Sequence, residues 1–215
     1  MKKLLLVEGY SDKNFFEALI RKVSLDVKVE VVTPTEIGSE KDGKDNAINC
    51  VFVELKGTEY SHLSLVVDAD YPKGGLGYEK TREKIAKGII DLGYDTKPEE
   101  IGFGFKFNHS AEGNPFGLWV MSNNFKDGMF ENWVKDAINS AEKPLFDLAV
   151  STVNSLPNPQ KFNPKHTSKA EFGTWMAWQK KPVVGFGKDN KIEELLDFDS
   201  EPMKQLIAWL KAIYA

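Results

Sequence analysis

Asp68 and Asp70 stand two residues apart where the apolar run Leu63-Ser64-Leu65-Val66-Val67 opens into a glycine-rich loop, in "LSLVVDADYPKGG". Such a run reads as a strand covered on both faces, the kind found in parallel sheets. Ligands in those sheets gather beyond the carboxyl ends of the strands. Strand alternation would point both carboxylates the same way, about 7 Å apart. Two anions so placed repel each other unless a cation lies between them, and oxygen donors suit a hard divalent ion, Mg²⁺ or Mn²⁺. A strand-end turn with two solvated aspartates and a Pro-Gly stop accounts for the tripeptide equally well.

Other acids recur at comparable places. Glu8 ends the apolar run of "KKLLLVEG", Asp12 lies one turn further, and Asp127 and Glu131 follow the strongly apolar "FGLWVM". The elements that would hold them can be read in order. "KKLLLV" is a first strand, Gly9 allows a tight turn, and Ser11 is a plausible N-cap for "DKNFFEALIRKV", where Phe15, Phe16, Leu19, Ile20 and Val23 recur at helical spacing. "DVKVEVV" alternates as a second strand, and "GSEKDGKDN" is a polar loop. Ala47, Ile48, Val51, Phe52 and Leu55 then mark a helix despite their β-branched members. After the third strand, "YEKTREKIAKGIIDLGY" carries a charged helical face. "IGFGFKFNHSAEGNPFGLWVMSNN" reads as two strands joined by a turn around Ala111 to Pro115. Helical pieces between proline-rich loops fill the remainder. The order βαβαβα then βα predicts an α/β fold, Rossmann-like, with a mostly parallel sheet flanked by helices and a helical C-terminal extension. In that architecture the strand ends, and so the acids, face one crevice.

The bulk properties bound the function. The chain has 215 residues, 41% hydrophobic and 28% charged, in the range of a globular protein of one large domain or one domain plus an appendage. No apolar run approaches the ~20 residues of a membrane span. The apolar stretch behind the two N-terminal lysines ends at Glu8, too soon for a signal peptide. The single cysteine, Cys50, excludes internal disulfides and cysteine-based metal clusters, fits a reducing cytoplasm, and reads as a small core hydrophobe. A net charge of −4 argues against tight autonomous binding of nucleic acid by bulk electrostatics; local basic patches, a metal or a partner would be needed.

"LLLVEG" with Asp12, followed about 60 residues on by "LVVDAD", resembles the two signature motifs of the Toprim domain, the metal-binding module of topoisomerases, bacterial primases, a ribosomal RNA maturase and the OLD-family nucleases. The resemblance covers about residues 1–140, leaving 141–215 as a helical extension packed on that domain. "FGLWVMSNNFKDGMFENWV" is similar to the OLD-type and stand-alone branch, where Gly-x-x-Glu opens the last helix, and "HTSKAEFGTWMAWQKKP" resembles the tail of a small stand-alone Toprim-like family of unknown function. The resemblance implies a metal site of Glu8, Asp68 and Asp70, with Glu8 doubling as general acid/base, and Asp12 and Glu131 as extra acids for a second ion. Two ions roughly 4 Å apart could stabilise both the attacking and the leaving oxygen of a phosphodiester. The OLD-type nucleases also place a lysine near the scissile phosphate, for which Lys169 and Lys165 are the candidates. The function implied is Mg²⁺- or Mn²⁺-dependent cleavage of DNA or RNA, with an ATPase partner by analogy and self-association left open.

Structural readings stand beside these. Glu8 precedes a helix and Asp12 lies in its first turn, where acids favour the macrodipole. Asp127 is expected to cap the following helix. Lys165, His166 and Lys169 share a helical face or are simply solvated. His62 and His109 lack a spaced partner, and Trp175, Trp178, Trp209 and Tyr214 read as packing. "GFGKDN" lacks the spacing and hydroxyl of a P-loop. Three competing functions use the same residues. They are an Asp-x-Asp nucleotide-sugar transferase, a haloacid-dehalogenase-type phosphatase with Asp68 as nucleophile, and a catalytically silent Toprim-like binding module.

Overall fold

The computed structural model describes residues 2–31, 43–57, 59–73, 75–111, 114–122, 126–158 and 160–215. Val32 of the expected second strand, positions 38–42 of the polar loop, Gly74, positions 112–113 of the expected turn and 123–125 behind "FGLWVM" lie outside the described residues.

Six strands form one sheet: β1 (Lys2–Val7), β2 (Lys28–Val31), β3 (Tyr60–Asp68), β4 (Glu99–Ile101), β5 (Gly104–Phe107) and β6 (Phe116–Met121), in the order β2-β1-β3-β6-β5-β4. β2, β1, β3 and β6 run parallel, and β5 and β4 add an antiparallel edge. The fold is therefore α/β with a mostly parallel sheet, as the element order predicts. One difference is the third strand in the "IGFGFKF…FGLWVM" region. β4 is only three residues, two of them exposed glutamates, and offers no alternation to read.

Period-two alternation divides the core between the two faces. Leu5 and Val7 of β1, Val66 of β3, and Trp119 and Met121 of β6 pack with α1 (Tyr10–Lys22), α4 (Phe130–Ala137), α5 (Lys143–Asn154), α6 (Thr167–Ala177) and α8 (Glu201–Tyr214). The alternate residues, Leu4, Leu6, Leu63, Leu65, Val67, Leu118 and Val120, pack against α2 (Gly43–Glu54) and α3 (Gly77–Ile90). A short helix, α7 (Ile192–Leu195), closes the first face. The central strands are largely apolar because both faces are covered.

The C-terminal helices share their core with the sheet. Met203, Leu206, Trp209, Leu210, Ile213 and Tyr214 form the buried stripe of α8. The Trp209 ring lies 5.5 Å from that of Trp119, and its indole N–H donates to Phe105 O at 3.1 Å. Trp175 is likewise fully buried, whereas Trp178 is 40% exposed and does not pack as expected. Among the described residues no helix is long and apolar enough to cross a membrane.

Candidate metal centre

β1 and β3 lie side by side with Val7 opposite Val66, so the residues that end them, Glu8 and Asp68, meet at one edge of the sheet. Glu8 Oε1 accepts the backbone N–H of Asp68 at 2.7 Å. Asp68 Oδ1 in turn accepts the N–H of Phe130, the first residue of α4, at 2.8 Å. That bond fixes the start of α4, whose next residue is Glu131. Asp12 sits in the first turn of α1 directly behind β1.

Asp70 reaches the same crevice by a different route from the one alternation suggests. β3 ends at Asp68, and Asp70 has φ 62°, the left-handed region that aspartate tolerates better than most residues. Its backbone exchanges two hydrogen bonds with Gly128, 2.7 and 3.0 Å, tying the loop after β3 to the segment that leads into α4. Gly75 lies so close that a Cβ there would stand 2.6 Å from Asp70 Cβ.

The electrostatics show that these acids converge. Burial, with the fields of Asp12 and Asp70, pushes the Glu8 carboxyl up to about 8 against the opposing pull of Lys44 and the Asp68 N–H. Burial and Glu131 push Asp12 up to about 7. Asp68 is raised well above the usual range by burial and then by Glu8, Asp12 and Glu131. Burial also raises Glu131, opposed by Lys169 and His166. Lys169 stands in the first turn of α6. Against the desolvation of its ammonium, Glu131, Asp68, Glu8 and Asp70 nonetheless raise its pKa. One carboxylate oxygen, Glu131 Oε2, is buried with no hydrogen-bond partner. Glu8, Asp12, Asp68, Asp70, Glu131, Lys169 and His166 are thus brought together, and Lys165 lines an adjoining cavity.

Lys44 belongs to this centre and was not singled out from the sequence. Its ammonium lies 2.9 Å from Asp70 Oδ2 and 3.2 Å from Ala69 O, with the side chain 12% exposed. Gly43 makes that approach possible, since a Cβ there would fall 2.6 Å from Glu8 O. A Gly-Lys pair opening a helix inside a polar stretch is the only trace of this in the sequence.

Two capping expectations are corrected. Asp127 does not cap α4; its Oδ1 accepts the N–H of Tyr78 at 2.7 Å and so holds α3. The N-cap of α4 is instead Met129, whose N–H donates to Asn132 Oδ1 at 3.0 Å. Ser11 does not cap α1, which starts from an extended Gly9; its hydroxyl accepts the N–H of Phe186 from 175 residues away. The histidines fit the structural expectation: His109 bonds the Leu92 and Ala111 carbonyls, and His62 bonds Ser61.

The donor set is all oxygen, which suits Mg²⁺ or Mn²⁺. Four acids with raised pKa and one orphaned carboxylate oxygen leave this crevice short of positive charge, despite Lys44 and Lys169. As arranged, several of these oxygens are engaged by backbone N–H groups or Lys44. Among the described residues no three acidic, histidine or cysteine side chains stand close enough together to hold an ion. The donor chemistry and the charge thus suit a divalent cation, while the present spacing of the side chains does not form a coordination shell.

A family model described as "Protein of unknown function (DUF3226)" matches residues 2–215. No curated protein and no solved structure matches the chain.

Proposed function

From the premise that the chain belongs to the DUF3226 family, whose function is unknown, we propose that it is a Toprim-like, metal-dependent nuclease or related phosphodiester-processing enzyme. The observation that carries this reading is the convergence of Glu8, Asp12, Asp68, Asp70 and Glu131 from β1, α1, β3, the following turn and α4 into one charge-deficient crevice. Mg²⁺ or Mn²⁺ held by Glu8, Asp68 and Asp70, with Asp12 and Glu131 available to a second ion, would supply Lewis-acid stabilisation of phosphoryl oxygens.

The chain's own residues then have distinct tasks. Without a metal Glu8 keeps its proton near neutral pH; beside a bound cation it would ionise and serve as a ligand or as a proton acceptor. The Phe130 N–H orients Asp68, and Lys44 neutralises Asp70. Lys169, kept protonated by the acids around it, offers a cation to a phosphate. The acidic net charge is compatible with nucleic acid because contact would be local and metal-assisted. A cytoplasmic setting and an ATPase partner belong to the same proposal.

A catalytically silent binding module is the second reading, favoured by the Lys44–Asp70 pair already closed at 2.9 Å. Cleavage of supercoiled plasmid and of labelled single-stranded DNA and RNA separates the two. Cutting by the wild type with Mg²⁺ or Mn²⁺, abolished by EDTA and by Asp68→Ala/Asp70→Ala, supports the nuclease. Metal-independent silence on all substrates supports the module.

A further inference from the structure

A cavity of about 320 Å³ adjoins the carboxylate centre, with Tyr71, Asn132, Lys165, Ser168 and Glu171 in its lining. Three of these are chain neighbours of centre residues: Tyr71 follows Asp70, Asn132 follows Glu131, and Ser168 precedes Lys169. Cavity and centre therefore draw on the same three segments of the chain.

The lining holds polar groups that the protein does not satisfy itself. Glu171 is 7% exposed, and its nearest cation, Lys135, is 3.8 Å away, too far for a hydrogen bond. No hydrogen-bond donor among the described residues reaches the Glu171 carboxylate. Ser168 Oγ is buried without a partner. Asn132 spends its carbonyl oxygen on the Met129 N–H, 3.0 Å, and the Tyr71 O–H, 3.3 Å, so its amide N–H₂ is the group left to donate. The Glu171 carboxylate, with its side chain 10% exposed, is left as an acceptor for a ligand with paired N–H groups.

We propose that this cavity binds a guanine base. Guanine alone among the common bases presents two adjacent N–H donors, N1–H and N2–H, beside an acceptor, O6. Glu171 accepts the donor pair, while Asn132 and Lys165 supply donors for O6. Tyr71, its hydroxyl tied to Asn132, offers a ring face for stacking. On the nuclease reading, which this inference deepens, the cavity sets a guanine preference beside the cleaved phosphate.

Calorimetric titration of the full chain in EDTA with GMP, IMP, AMP, CMP and UMP tests this without relying on cleavage. GMP is expected to bind at least about tenfold more tightly than the others, with IMP weakened by loss of the N2 amine. Glu171→Gln should lose that preference, and Asp68→Asn should keep it. Equal affinities for the five nucleotides, or unchanged GMP preference in Glu171→Gln, would overturn the proposal. If Glu171→Gln does not fold, GMP against IMP on the wild type decides. GMP selectivity without nucleic-acid cutting keeps the base site and removes the nuclease reading. Cutting without base preference does the reverse.

Discussion

Two buried polar clusters share β3, and they are built on opposite terms. Around Ser64, the Tyr214 hydroxyl of α8 donates to Leu4 O at 2.7 Å and pairs with the Ser64 hydroxyl, while Lys3 donates to Tyr214 O. Both side chains are fully buried, and burial holds the Tyr214 phenol neutral. Four residues further along the strand, Asp68 sits among Glu8, Asp12 and Glu131, all with raised pKa, and one carboxylate oxygen has no partner. The first cluster is complete within the protein and anchors the last helix to the sheet. The second is left in electrostatic debt, the condition expected where a fold keeps a place for something it does not itself provide.

The comparison predicts that changes in the two clusters separate function from stability. Asp68→Asn is expected to lower metal-dependent cleavage roughly 100-fold or more, read from initial rates on the preferred substrate. Trp209→Ala, beside the Tyr214 cluster, should instead cost roughly 3–5 kcal/mol of stability in urea unfolding, because it empties an indole-sized volume between β5, β6 and α8. Tyr214→Phe leaves Ser64 Oγ and Leu4 O without that hydroxyl and should cost roughly 1–3 kcal/mol by the same measurement. A stability loss for Asp68→Asn as large as that for Tyr214→Phe would break the contrast.

The proton affinity of the centre sets a pH dependence of stability with the opposite sign. The acids of the centre bind protons more tightly in the folded chain than in the unfolded one, where they titrate near 4. Between that range and the values of about 7 for Asp12 and about 8 for Glu8, the native state holds more protons. Stability in EDTA should therefore fall as pH rises from about 5 to 8 and level off above. Asp68→Asn keeps the acceptor for the Phe130 N–H and removes one charge, so its melting temperature at pH 8 should equal or exceed that of the wild type. Melting curves across this pH range, with and without Mg²⁺, check both points.

Parts of this centre were legible in the sequence for a physical reason. Glu8 and Asp68 each terminate an apolar run, and a charge that ends a buried strand must lie at the sheet's edge. Glu131 follows the apolar run of β6, and its place at the opening of a helix is what the Toprim resemblance implies. Asp70, Lys44 and Ser11 were harder to place. Asp70 is positioned by a left-handed turn and by Gly128, Lys44 by the close approach that Gly43 permits, and Ser11 by a loop far along the chain. Such positions depend on contacts between distant segments, and local pattern does not record them. β4 was missed for a different reason: it has three residues, two of them exposed glutamates, too few to show an alternation.

The central claim is that the carboxylate crevice holds a divalent cation. Its most direct test is calorimetric titration of Mn²⁺ at pH 8 into the wild type and Asp68→Asn/Glu131→Gln. Saturable binding with proton release in the wild type, lost in the double variant, is expected. Absence of binding to the wild type, or equal binding by the variant, would contradict it.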